Sequence, residues 1–168
     1  IVDWFLTAVQ ESAGISCVAM YSRKESSART LADKYGIDKI YTKMDEMLKD
    51  EDINFVYVAS PNSLHFEHAL KALKAGKHVL CEKSITLNSE ELEEAINLAK
   101  ENNVVLAEAM TIYHMPIYKK LNEIISSGKL GDLGLIQMNF GSYKEYDMTN
   151  RFFNRNLAGG AMLDIGVY

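Results

Sequence analysis

Several features that would assign a protein class at once are missing from this sequence. There is no excess of positive charge: the 168 residues carry a formal net charge of −5, so we expect no nucleic-acid partner. No apolar run approaches the roughly 18 residues of a membrane span, so we expect no membrane association. No cysteine and histidine cluster has zinc-ligand spacing, and no Gly-x-Ser-x-Gly or Cys–His pattern suggests acyl transfer. These absences predict a globular protein without a metal site.

Cysteine is also scarce. The two cysteines, Cys17 and Cys81, both lie in apolar runs that are typical of strands. We therefore expect free, buried thiols. Free thiols are typical of a reducing compartment, so the expected location is the cytoplasm.

What the sequence does contain is a regular alternation of strand-like and helix-like segments. Strand patterns recur at 15–21, 40–41, 53–59, 79–81 and 104–107. Apolar residues at helical spacing fill the intervals between them. The alternation predicts an α/β fold with a Rossmann-type, doubly wound parallel sheet. Residues 1–12 already have a helical pattern, so we expect the first strand and Gly-rich turn of such a sheet to be absent from this chain.

A boundary between two domains is predicted at Pro116, which opens a further amphipathic helix. Residues 1–115 would then form the N-terminally incomplete Rossmann domain, and residues 116–168 would begin a second domain. A strand is expected at 135–141 within that second part.

One motif follows the strand predicted at 53–59. It reads Ser60-Pro61-Asn62, with His65 in the first turn of the next helix. Open α/β sheets bind ligands beyond the carboxyl ends of their strands, so we expect this motif at a ligand cleft. Two roles remain open for His65, a hydrogen bond to a cofactor or a helix cap.

A second motif, Glu82-Lys83, follows the strand that ends at Cys81, and a third occupies the last ten residues, 159–168. That segment opens with two glycines and contains Asp164 and Tyr168. If it is helical, these two side chains share one face. A lysine, an aspartate and a tyrosine that converge on a cleft can move a proton on and off a hydroxyl group.

Ser22 and Arg23 follow the strand predicted at 15–21. In a dinucleotide-binding fold an acidic residue at this place would hold the ribose 2′-hydroxyl of NAD, but neither residue is acidic. A hydroxyl and a guanidinium suit a 2′-phosphate instead. The alternative is an ordinary basic loop.

The order of these motifs resembles the glucose–fructose oxidoreductase/inositol dehydrogenase (Gfo/Idh/MocA) family over nearly the whole chain. In that family a proline usually follows the Glu-Lys pair, and here Ser84 replaces it. The resemblance implies that Lys83 serves in proton transfer. Asp164 and Tyr168 match the tyrosine variant of the last motif, which is similar to the dihydrodiol dehydrogenase branch.

The resemblance also implies a function. Residues 1–115 would bind a dinucleotide, and residues 116–168 would begin an α+β substrate and oligomerisation domain. The protein would transfer a hydride between nicotinamide and a sugar, polyol or related hydroxy compound, with NADP preferred over NAD and a homodimer or homotetramer as the assembly. The alternatives are a non-catalytic dinucleotide-binding regulator and an enzyme that retains its cofactor tightly.

The expected site residues fall into two groups that share the lysine. The catalytic group is Lys83, Asp164 and Tyr168. The expected cofactor-binding residues are Ser22, Arg23, Ser60, Pro61, Asn62, His65, Glu82 and Lys83.

Overall fold

The computed structural model describes residues 1–141 and 143–168, in which helices alternate with short strands as far as residue 108. In chain order the elements are α1 (Val2–Gln10), β1 (Ala19–Tyr21), α2 (Glu25–Tyr35), β2 (Lys39–Tyr41), α3 (Met44–Met47), β3 (Phe55–Val58), α4 (His65–Lys74), β4 (His78–Cys81), α5 (Ser89–Glu101), β5 (Leu106–Glu108), α6 (Pro116–Ser126) and α7 (Ala161–Asp164). Single 3₁₀ turns lie at Asn62–Leu64, Thr111–His114 and Arg155–Leu157. None of the helices in these two ranges has both the length and the apolar character that a bilayer crossing requires.

The strands pair in parallel, which confirms the predicted α/β class. β1 lies beside β2, while β3, β4 and β5 form a three-stranded sheet in that order. Parallel neighbours require crossover connections, and α2, α4 and α5 supply them. The carboxyl ends of β3 and β4 therefore lie side by side, with Val58 opposite Cys81.

Burial alternates along β3 and β4. Val56 and Val58 are buried, as are Val79 and Cys81 opposite them, and they share a core with small residues of α4 and α5. The intervening Tyr57 is only half-buried. β3 is thus covered fully on one face and only partly on the other.

Both cysteines are free thiols, as expected, but their surroundings differ. Cys81 is fully buried in the sheet, and this burial, with the nearby carboxylates of Glu108 and Glu82, raises its pKa to about 12. Cys17 is only partly buried, which corrects the expectation of two buried thiols.

The start of α5 carries a sequence signature of a helix N-terminus, Asn88 followed three residues later by Glu91. Asn88 is the N-cap, and its Oδ1 accepts a hydrogen bond from the backbone N–H of Glu91 at 2.8 Å. Glu91 reaches back in turn and accepts from the backbone N–H of Leu87 at 3.1 Å. The N-cap bond of a capping box is thus present, whereas Glu91 reaches the N–H of Leu87, one residue before the N-cap, and not that of Asn88 itself.

One predicted strand is shorter than expected, and another does not form. The strand expected at 15–21 forms only at Ala19–Tyr21, where the three residues of β2 pair with it. Residues 135–141 form no strand, and Leu135 and Phe140 are 82% and 78% exposed. A strand is held by hydrogen bonds to a neighbour, and the described residues offer this segment no partner.

Candidate active site

The site is built where β3 and β4 end. Ser60 and Pro61 continue from β3, and Glu82 and Lys83 continue from β4. The parallel pairing brings these two turns together, because both strands run in the same direction and end at the same edge. The C-terminal segment then lies against the second turn, through contacts that the next paragraphs describe.

An ion pair joins Lys83 to Asp164 across 81 residues of sequence. The ammonium of Lys83 donates to Asp164 Oδ1 at 2.9 Å and also to the main-chain oxygen of Asp164. The two side chains are only 15% and 22% exposed. Removing the partner of a largely buried charge is strongly unfavourable, so the pair fixes where the lysine nitrogen lies.

Tyr168 joins this pair through its ring. The Lys83 nitrogen lies 5.1 Å from the centre of the Tyr168 ring, a distance at which a cation and an aromatic ring attract each other. The expected helix over this segment is wrong beyond Asp164, where α7 ends. Tyr168 reaches the lysine from irregular backbone that follows a turn, so the three predicted catalytic residues do converge, though not on one helical face.

Two glycines allow the C-terminal segment to fold this tightly. A Cβ on Gly159 would lie 2.4 Å from the main-chain oxygen of Arg151, and a Cβ on Gly166 would lie 2.7 Å from that of Met162. Both distances are far below van der Waals contact. A side chain at either position would therefore push apart the loop that presents Asp164.

Ser84 makes a second connection to the same segment. Its hydroxyl donates to the main-chain oxygen of Leu163 at 2.8 Å, and the Lys83–Ser84 peptide bond is cis. Sequence reasoning named Ser84 only as a replacement for proline. The structure shows that its hydroxyl ties the turn after β4 to the residue next to Asp164.

Glu82 points to a different partner from Lys83, as strand alternation predicts. It accepts a hydrogen bond from the hydroxyl of Tyr57 at 2.5 Å, and the Tyr57 ring stacks on Phe5 at 3.8 Å. Burial, and then the Glu82 carboxylate, raise the pKa of Tyr57 well above its usual range.

Sequence reasoning missed Tyr57, but a signal for it was present. Tyr57 lies opposite Leu80 in the parallel register, so Glu82, two residues on, is its diagonal neighbour on the same face. Such diagonal pairs are within reach of an aromatic side chain.

His65 lies beneath these turns. It is 1% exposed, with Nδ1 2.7 Å from the main-chain oxygen of Ser84 and Nε2 2.8 Å from that of Ser60. The ring makes no helix cap, because the N-cap of α4 is Leu64. A carbonyl oxygen only accepts, so either contact is a hydrogen bond only where the ring nitrogen that faces it carries the proton.

A cleft of about 510 Å³ separates β1 from β3 at the place where a doubly wound sheet has its first strand, and four of the predicted cofactor residues are among the side chains that line it. Ser22 and Arg23 line it on the β1 side, and Ser60 and Pro61 line it on the β3 side. The hydroxyl oxygen of Ser60 is buried and has no hydrogen-bond partner within the described part of the chain. A buried hydroxyl without a partner is costly, which makes Ser60 a candidate to bond a polar ligand beyond the carboxyl end of β3.

The other predicted cofactor residues lie elsewhere. Asn62 lines a small cavity with Gly160 and Asp164. Glu82, Lys83 and His65 are not among the described residues that line the large cleft. Nor do the described residues contain a cluster of three His, Cys, Asp or Glu side chains that could hold a metal ion.

Comparisons with known proteins give two matches to family models. Residues 3–110 match the model of an oxidoreductase family with an NAD-binding Rossmann fold, and residues 118–168 match the Gfo/Idh/MocA C-terminal domain.

Among curated proteins, the chain is 35% identical to an NADP(+)-dependent scyllo-inositol 2-dehydrogenase from Bacillus subtilis, over 100% of this chain and 52% of that protein. It is 34% identical to a trans-1,2-dihydrobenzene-1,2-diol dehydrogenase from Xenopus tropicalis, over 90% of this chain and 45% of that protein. The chain therefore spans about half the length of the curated relatives it matches.

A solved structure extends the similarity to three dimensions. A variant of a 3-ketoreductase from Actinomadura kijaniata, in complex with TDP-benzene and NADP, superposes with a TM-score of 0.82 at 26% identity. The superposition covers 97% of this chain and 50% of that one.

Proposed function

The chain belongs to the Gfo/Idh/MocA oxidoreductase family, and from this premise we propose that the full-length protein transfers a hydride between NADP and a sugar, polyol or related hydroxy compound. The observation that carries the proposal is the convergence of Lys83, Asp164 and Tyr168 beside the ends of β3 and β4. A proton must leave or join the substrate oxygen whenever a hydroxyl and a carbonyl interconvert. These three side chains are of the kinds that handle it.

NADP is the cofactor that we propose, bound at the carboxyl edge of the sheet, where Ser22 and Arg23 follow β1 and Ser60 and Pro61 follow β3. Bound there, its nicotinamide would supply or accept the hydride. Ser22 and Arg23 would hold the 2′-phosphate, and Ser60 with Pro61 would line the opposite wall. The unpartnered hydroxyl of Ser60 supports a polar occupant, and NAD is the second candidate for the same site.

Lys83 is the residue to which we assign transfer of the proton to and from the substrate oxygen. Its ammonium donates to Asp164, so the carboxylate sets the direction in which the Nζ protons point. Tyr168 flanks the same nitrogen and would assist at the substrate oxygen. Asn62 and Glu82 complete the surroundings, with Glu82 held by Tyr57 and therefore in a supporting role.

Two further features of the proposal concern domain organisation and compartment. We assign residues 1–115 to dinucleotide binding and residues 116–168 to the beginning of an α+β substrate domain. The free thiols of Cys17 and Cys81 support a reducing, cytoplasmic location, which cell fractionation would test.

A turnover screen of the full-length protein tests the function. NADP and NAD would each be offered with a panel of sugars, polyols and their ketones, and formation or loss of the reduced nicotinamide would be followed by absorbance. We expect turnover with at least one hydroxy compound. Binding of NADP with no turnover across the panel would support the non-catalytic regulator instead.

A further inference from the structure

We propose that His65 is the positioning residue for Lys83, acting through its Nδ1 bond to the carbonyl oxygen of Ser84. This inference rests on the proposed function, because it concerns the residue to which that function assigns proton transfer. His65 itself touches neither Lys83 nor Asp164 through any bond that its ring makes.

The ring of His65 spans the two turns on which the site is built. Nε2 faces the main-chain oxygen of Ser60, in the turn that follows β3. Nδ1 faces the main-chain oxygen of Ser84, in the turn that follows β4. The imidazole ring is rigid, so the distance between these carbonyl oxygens is set by the ring. α4, which begins at His65, is anchored in the core by Ala69 and Leu73, both essentially fully buried.

Ser84 is held from two sides. Its carbonyl faces His65, and its hydroxyl donates to Leu163, the residue before Asp164. Ser84 therefore has little freedom to shift, which also restrains the peptide bond that joins it to Lys83. The Lys83 side chain starts from this peptide, so the 2.9 Å ion pair with Asp164 depends on where His65 places Ser84.

Two substitutions separate the two bonds. The amide nitrogen of Asn occupies about the place of Nδ1, and that of Gln occupies about the place of Nε2. His65→Asn therefore keeps the donor toward Ser84, whereas His65→Gln keeps the donor toward Ser60 and loses the link to Ser84. Both remove a buried ring and both cost stability, and Asn, which is one methylene smaller, leaves the larger cavity, so a purely structural role would affect His65→Asn at least as much as His65→Gln.

We expect kcat at saturating NADP to separate the variants. A displacement of about 1 Å in a catalytic group lowers the rate by about 100-fold, so His65→Gln should lower kcat by about 10- to 100-fold. The kcat of His65→Asn should stay within about threefold of that of the unmodified protein. In this variant Lys83 keeps its position, and the rate depends on that position. The dissociation constant for NADP should change little in either variant.

His78→Gln is the matched control. The His78 ring also bonds to the main chain of a neighbouring segment, because its Nδ1 accepts from the N–H of Val105 at 2.9 Å. Unlike His65, it lies at the amino end of β4, away from the site. Its replacement should lower the unfolding midpoint while leaving kcat unchanged.

A second readout does not depend on activity. Acetylation of Lys83 by acetic anhydride, followed by mass spectrometry, reports how far the ammonium has left its ion pair, with Lys74 in the same sample as the reference. We expect faster labelling of Lys83 in His65→Gln than in His65→Asn or the unmodified protein. This comparison holds even if Lys83→Ala shows that the proton travels another way, so the two proposals can fail separately.

If neither variant folds, nitrogen-15 NMR of histidine in the unmodified protein provides the test. The proposal requires a proton on Nδ1 of His65, and we expect its chemical shift to report one. An unprotonated Nδ1 would overturn the proposal, as would equal kcat and equal Lys83 labelling in the Asn and Gln variants.

Discussion

Arg23 is the residue on which the proposed cofactor preference depends. It is exposed beside Ser22 at the β1 side of the cleft, where its guanidinium can pair with a 2′-phosphate. Hydrogen bonds to charged groups contribute about 1.5–3 kcal/mol, so NADP should bind about 10- to 100-fold more tightly than NAD. Arg23→Ala should remove most of that difference. Titration calorimetry with each cofactor measures it directly.

The neighbouring Lys24 provides the control for this prediction. It carries the same charge and is exposed, but it does not belong to the described lining of the cleft. Lys24→Ala should leave the ratio of the two dissociation constants within about twofold, since an exposed charge outside a contact contributes little. Equal affinities for NADP and NAD in the unmodified protein would reject the assignment.

At the scale of elements, a cluster around Asp50 ties β2 to the turn before β3. Asp50 Oδ2 accepts from Lys39 Nζ and from the Tyr41 hydroxyl, each at 2.8 Å, and its side chain is 11% exposed. The Lys39 and Tyr41 hydrogen bonds lower the pKa of Asp50 to about 2 from a usual value of 3.8. A carboxyl whose pKa falls on folding stabilises the protein above its unfolded pKa, and this stabilisation is lost as the pH falls through the folded value.

Asp50→Asn should therefore destabilise the full-length protein by a constant amount between about pH 5 and 8, and by a shrinking amount as the pH falls from about 5 to 3. Urea unfolding at each pH measures the difference. Asp52→Asn is the control, because Asp52 bonds the same lysine at 2.6 Å but is 70% exposed, and its effect should be smaller. A difference for Asp50→Asn that stays constant down to pH 3 would assign the effect to packing rather than charge.

The sequence predicted elements well where the signal was local. The N-cap at Asn88 depends on four consecutive residues, and the structure contains its bond to the N–H of Glu91, although the return bond of Glu91 goes to Leu87. The segment 135–141 has an equally clear apolar pattern but forms no strand, because a strand also needs a neighbour that the pattern cannot supply. Strand ends were misplaced for the same reason, since pairing with β2 limits β1 to three residues.

At the scale of the whole molecule, we predict a homo-oligomer. The motivation is the family, in which the outer face of the second domain usually packs against another subunit. Light scattering on the full-length protein at micromolar concentration should give the mass of a dimer or tetramer. A monomer mass would reject the prediction.

The sequence predicted which residues form the candidate site better than it predicted the hydrogen bonds that join them. Lys83, Asp164 and Tyr168 were identified from motif order, and the structure brings them together. Their link through Ser84, and the place of His65 between two turns, could not be read from the chain. Both depend on how main-chain oxygens far apart in sequence approach one another, which no spacing rule encodes.

The central claim is that Lys83 handles the substrate proton, and the kinetics of Lys83→Ala in the full-length protein test it most directly. Loss of a general acid or base costs about 10²–10⁴ in rate, so kcat/KM should fall by that factor while NADP affinity stays within a few-fold. Tyr168→Phe should cost less, because its ring still lies beside the nitrogen. Lys74→Ala, at the far end of α4, should change neither value. Near-full turnover in Lys83→Ala would contradict the account and show that the proton takes another route.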